Sequence, residues 1–252
     1  MDYQNPVTKK FLDAIKQGQS QAVKDILEQQ NISLKEKNCG LLEAARNGNL
    51  ALVKLLISQG AQINESCSLE YAVEKEHEHV VKFLLSQEGV EVDYPDNDKG
   101  WSALMFTAWN GNVNIAQLLL DHGADIDHEN IFEQTALILA AERCPCGGSR
   151  YRSVPADCSH QGVIKILLQA HFALNKQDQY GQTALHYAVG NACTQTVKLL
   201  LDAGTDPDIK NHKEQTAIEK TKNALRFVAQ EQEKLNKIHT LLEHYNESIK
   251  KT

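Results

Sequence analysis

The chain repeats itself, and that feature limits its fold more than any other. Ser102-Ala103-Leu104-Met105-Phe106-Thr107-Ala108 is echoed at Thr135-Ala136-Leu137-Ile138-Leu139-Ala140-Ala141, and again from Thr183 and from Thr216. The first two copies start 33 positions apart, as do the last two; 48 positions separate Thr135 from Thr183, which is one period plus fifteen extra residues. Looser copies run from Phe11 to Gly18, Leu41 to Gly48 and Leu69 to Glu76. A period of this length marks a stack of small supersecondary units, not one closed core.

Each good copy carries the same local instructions. A Ser or Thr caps a short helix containing small residues, a turn follows, then a second apolar helix, then a glycine exit. Leu104 and Ala108, then Ile115, Leu118 and Leu119, keep helical spacing, so one unit makes two antiparallel helices with apolar faces that it cannot bury alone. Neighbouring units supply the missing core. Seven units are expected, at about 7–37, 38–66, 67–98, 99–131, 132–179 with an insertion at 144–160, 180–212, and 213–252 as closing helices, together forming a single repeat domain. In the last unit Ala217, Ile218, Thr221, Leu225 and Val228 are expected on a first buried stripe and Ile238, Leu241 and Leu242 in the second helix core; a helical interaction tail is the alternative.

Gly181-Gln182-Thr183-Ala184-Leu185-His186-Tyr187-Ala188 resembles the ankyrin motif, and Leu118-Leu119-Leu120-Asp121-His122-Gly123-Ala124-Asp125-Ile126-Asp127 resembles the second half of the same unit. The resemblance spans about 7–245. It implies an all-α ankyrin-repeat solenoid of stacked helix-turn-helix units with short β-turn finger loops. It also implies a non-catalytic adaptor whose partner protein binds on the concave face, through the fingers and first helices. Transferred position by position, that surface comprises Trp101, Trp109, Asn110, Glu74, Lys75, Glu142, Arg143 and Tyr180. Both tryptophans of the chain fall in this set, and exposed Trp, Tyr and Arg are the residue types that most often anchor interfaces. Packing of Trp101 on its own finger and of Trp109 on a helix end is the bland alternative.

Composition narrows the partner classes. Lys and Arg total 26 against 33 acidic residues, a net charge of −7, with no basic stripe, so a nucleic-acid partner is not expected. No segment approaches the roughly 18 apolar residues of a membrane span, and the first sixteen residues lack the apolar run of a secretory signal. A monomer in the cytoplasm is expected, or in a host cytosol if the chain is an effector that an intracellular bacterium delivers.

The fifth unit is interrupted by Cys144-Pro145-Cys146 and, after eleven intervening residues, by Cys158-Ser159-His160. Cys144, Cys146, Cys158 and His160 have the number and softness of ligands that tetrahedral zinc takes, and one structural zinc would offset the cost of ordering a Gly/Pro-rich insertion. His160 also stands where the resembled family has a capping histidine at a second-helix start. A disulfide from Cys158 to Cys144 or Cys146, or a loop with idle thiols, are the other readings. Catalysis by Cys158, His160 and Asp157 is not expected, because closeness in sequence does not build a nucleophile-base pair. His77 and His79 are read as solvated helix-turn residues.

Overall fold

The computed structural model describes residues 5–94, 99–144, 158–170, 173–225 and 232–249. Among them the protein is all-helical: fourteen α-helices and one short 3-10 turn, without strands. They divide into two compact units, Met1–Asp96 with Asp121–Ala124, and Asn97–Leu120 with Asp125–Thr252.

The first unit holds three helix pairs: α1 (Pro6–Lys16) with α2 (Ser20–Gln29), α3 (Leu34–Arg46) with α4 (Leu50–Ser58), and α5 (Ser68–Glu74) with α6 (Glu78–Leu85). Within it α1 packs on α3 and α3 on α5, while α2 packs on α4 and α4 on α6, so leading helices form one layer and trailing helices another. Phe11, Ile15, Leu41, Leu52, Leu56 and Leu84 fill the space between the layers without solvent exposure. The outer face of α2 shows Gln21, Lys24 and Glu28 to water.

The second unit repeats the plan with α7 (Ala103–Asn110) and α8 (Val113–Asp121), α9 (Ala136–Arg143) and α10 (Ser159–Gln169), α11 (Ala184–Gly190) and α12 (Thr194–Asp202), and α13 (Ala217–Leu225) and α14 (Gln232–Ile249). Leading helices α7, α9, α11 and α13 touch in that order. Their starts are set by the predicted caps: Ser102, Thr135, Thr183 and Thr216 each accept the backbone N–H three residues on, at 3.3–3.4 Å, and such a cap contributes about 1 kcal/mol.

The turns between pairs are built by one polar side chain each. Oδ1 of Asn130 accepts the N–H groups of Phe132 and Gln134, Asp178 does the same for Tyr180 and Gln182, and Asn211 for Lys213 and Gln215. Consecutive turns are then tied through the backbone: Ile131 N–H donates to Lys99 O, Gln179 to Phe132 O, and His212 to Tyr180 O, at 3.0–3.1 Å. This ladder skips the fifteen extra residues, so the insertion leaves the stacking period intact.

At the C-terminus α14 docks on α12 and α13 and is not a free tail. Its buried stripe is Leu235, Ile238 and Leu242. Leu241, expected in that core, is only half-buried, because 235, 238 and 242 follow the 3.6-residue period and 241 falls off it. Ala217 and Thr221 are buried as expected; Val228 and the Leu225 side chain lie outside what is described.

Candidate functional site

Trp101, Trp109 and Arg143 are brought together in the second unit. Trp101 precedes the cap of α7, Trp109 ends that helix, and Arg143 ends the next leading helix, α9. The two indole rings meet edge to face with centroids 5.4 Å apart, and Trp101 also lies 5.1 Å from the Phe106 ring. The Arg143 guanidinium covers the Trp109 ring at 4.2 Å. All three aromatic residues are half-buried and Arg143 is exposed, so the cluster presents a mixed apolar and cationic surface. Phe106 was not anticipated; its position one helical turn before Asn110 was the only sequence signal.

The remaining expected residues surround this cluster less tightly. Glu142 accepts a bond from Gln134 Nε2, while Asn191 Nδ2 donates to the carbonyls of Ala141 and Glu142 and closes the end of α9. Asn110 is half-buried at the end of α7. Tyr180 projects from its turn, 58% exposed. Glu74 and Lys75 belong to the first unit, where Lys75 Nζ donates to Glu74 Oε1 at 2.7 Å.

The cysteines group differently from their spacing. Cys144 Sγ lies 3.2 Å from Cys158 Sγ and 3.5 Å from Cys193 Sγ, and all three are at most 6% exposed. Thr196 Oγ1 sits 3.0 Å from Cys193 and 3.4 Å from Cys144, and Gln161 Nε2 donates to Cys193. Hydrogen bonding to Cys144 and burial push the Cys193 thiol far above its ordinary range, so it stays protonated. Cys193, absent from the expected ligand set, was legible in register only. Cys158 and Cys193 both occupy the N-cap of a trailing helix, α10 and α12, without making a cap bond, whereas Asn49 and Asn112 cap α4 and α8 through Oδ1.

His160 is directed elsewhere. Its Nε2 bonds the Trp109 carbonyl at 3.0 Å, and its ring lies so close to Gly111 that a Cβ there would meet Nδ1 and Cε1 at 2.9 Å. Burial lowers its pKa. His77 repeats this arrangement two helix pairs earlier, with Nε2 on Arg46 O at 2.9 Å and its ring against Gly48. His79, which bonds Gly48 O, is exposed as expected and His77 is half-buried, and both also bridge to the α3–α4 turn. Cys146 lies outside the described residues. Among those described, no three His, Cys, Asp or Glu side chains are grouped to hold a metal ion. The sulfur separations are also shorter than the edge of a zinc-thiolate tetrahedron, about 3.8 Å for bonds of 2.3 Å.

No described helix is long and apolar enough to cross a membrane. The family model for ankyrin repeats matches three times, over residues 11–96, 69–149 and 156–252. Among curated relatives, the mitochondrial disaggregase of Bos taurus is 29% identical over 73% of this chain and 21% of its own length. The transient receptor potential cation channel subfamily A member 1 homolog of Caenorhabditis elegans is 32% identical over 51% of this chain and 9% of its own. Palmitoyltransferase AKR1 of Lachancea kluyveri is 26% identical over 81% and 28%. The chain thus spans less than a third of each of these relatives.

Proposed function

Because this chain belongs to the ankyrin-repeat family, we propose that it is a non-catalytic module that captures a partner protein on the surface around Trp101, Trp109 and Arg143, the fourteen described helices making seven repeats. The observation that carries this reading is the aromatic-cation cluster at the ends of α7 and α9. Half-buried tryptophans with a planar cation bury large area at small entropic cost, which is how a few side chains come to dominate an interface.

An enzymatic use of the insertion has no such support. Cys158 is buried against Cys144, and the His160 ring is committed to Trp109 and Gly111. Neither is set as a nucleophile with its base.

The test compares partner recovery by the full chain and by Trp101→Ala/Trp109→Ala, with helicity and melting recorded for both. Recovery that disappears in a folded double variant supports the site. Equal recovery by both proteins removes it.

A further inference from the structure

Near the last repeat, the turns that carry Tyr180 and Lys213 flank a cavity of about 380 Å³ lined by Tyr180, Gln182, Asn211, Lys213, Gln215 and Lys220. The lining is rich in hydrogen-bond donors and carries two cations, on a chain whose net charge is −7. Lys220, on α13, is half-buried; its Nζ donates to Gln182 Oε1 and sits 5.5 Å from the centre of the Tyr187 ring. Both partners are neutral, and neither Lys220 nor Lys213 pairs with a carboxylate among the described residues. The acid whose charge acts on Lys220 is Asp178, a buried group whose oxygens already accept Tyr180 N–H, Gln182 N–H and the Tyr187 hydroxyl.

An ammonium half drawn out of water with neutral groups as its direct partners is costly, and a second cation acting on it adds repulsion. Burial is the main cause that brings the Lys220 pKa down to about 8; the Asp178 charge opposes that shift, and Lys213 adds to it by a smaller amount. The fold holds two lysines at one cavity, and the acid that acts on Lys220, Asp178, is already engaged by three donors of its own.

We propose that this cavity receives a carboxylate side chain from an acidic segment of the partner protein, with Lys213 and Lys220 as its counter-ions and the amides of Asn211 and Gln215 as further donors. This deepens the protein-binding reading and rests on it. A glutamate or aspartate suits the lining better than a phosphate group. The donors are separate ammonium and amide groups with no guanidinium fork, and the Asp178 charge behind them opposes a dianion more than a monoanion.

The probe is an end-capped hexaglutamate peptide, with capped hexaglutamine as the neutral control and inorganic phosphate as competitor, titrated into the full chain. Hexaglutamate is expected to bind with an affinity that falls as salt rises. Lys213→Gln and Lys220→Gln should each weaken it roughly tenfold or more, as loss of a charged hydrogen bond does, while Lys220→Arg retains part of it. Peptide binding should also raise the Lys220 pKa, followed by NMR of its side chain in the unaltered protein, a readout independent of whether Lys220→Gln folds. Equal binding of hexaglutamine, unchanged affinity in folded Lys213→Gln, or an unmoved Lys220 titration overturns the proposal. Displacement by phosphate at concentrations matching the peptide's own would assign the cavity to free phosphate and overturn the peptide assignment. Trp101→Ala/Trp109→Ala should leave hexaglutamate binding unchanged, so failure of the cavity and failure of the aromatic surface are read separately.

Discussion

The Arg143 guanidinium lies 4.2 Å from the centre of the Trp109 ring, a contact between the ends of two consecutive leading helices. It holds a planar cation over a half-buried indole and so fixes the shape of the surface proposed to meet the partner. At an exposed site such a pair contributes about 0.5–1 kcal/mol. Arg143→Ala should lower unfolding free energy in urea by about that amount and alter tryptophan fluorescence in the folded protein, with Arg143→Lys falling between, since an ammonium keeps the charge but not the flat stacking.

Two histidines, His186 buried and His160 half-buried, make stability depend on pH in one direction. His186 bonds Thr183 and the Gln215 carbonyl, His160 bonds the Trp109 carbonyl, and burial lowers the pKa of both below the ordinary 6.5. The unfolded chain therefore binds protons before the folded one does. Their neutral forms contribute stability that is fully present above pH about 6.5 and is lost as pH falls below that value toward the lowered folded pKa. The melting temperature should drop between pH 7.5 and 5.5, and the drop should shrink in His160→Gln/His186→Gln compared at the same pH values. A pH profile that is flat in the unaltered protein would contradict the placement of both rings.

Gly111 and Gly60 separate two causes of glycine dependence. Both have left-handed backbone, at φ 79° and 88°, so an alanine at either costs about 1 kcal/mol from conformation alone. At Gly60 nothing lies within 4 Å of an added Cβ, whereas at Gly111 it would stand 2.7 Å from Ser159 Oγ and 2.9 Å from the His160 ring. Gly111→Ala should therefore cost roughly 1–3 kcal/mol more than Gly60→Ala in denaturant titrations, overpacking being the added term. Part of that excess should vanish when His160→Ala is combined with it, as coupling between contacting residues requires.

What the sequence made legible was whatever repeats locally. Thr135, Thr183 and Thr216 announce helix starts because a cap acts over three residues, and the 33-residue period announces stacking because each helix pair lacks half its core. What it hid depends on contacts between one repeat and the next. Cys193 lies 35 positions beyond Cys158, outside any spacing rule for metal ligands, yet both occupy the same cap register in adjacent repeats, so stacking brings both to Cys144. His77 looked solvated because its partners, Arg46 O and Gly48, belong to the preceding repeat. Lys220 gave no signal at all; only the packing of its helix shows a cation facing neutral groups.

The three thiols of Cys144, Cys158 and Cys193 allow a last test, because a thiol core and a metal cage respond differently to the same changes. Two trailing helices forgo an Asn-type cap, each worth about 1 kcal/mol, and in exchange bury sulfur against sulfur at 3.2 and 3.5 Å. If packing alone holds them, Cys144→Ala and Cys193→Ala should each cost about 0.5–1.5 kcal/mol, the range for deleting a small buried group. The double variant should cost less than the sum, since the second deletion removes a contact already lost. Dialysis against a zinc chelator should then leave the melting temperature unchanged, as expected from sulfurs set closer than a zinc-thiolate edge and a His160 ring bonded to Trp109. A chelator-dependent fall in melting temperature, with loss of stability in either single variant far above that range, would instead restore the structural zinc suggested by the Cys144, Cys146, Cys158 and His160 spacing, with Cys193 as a candidate ligand in place of the histidine.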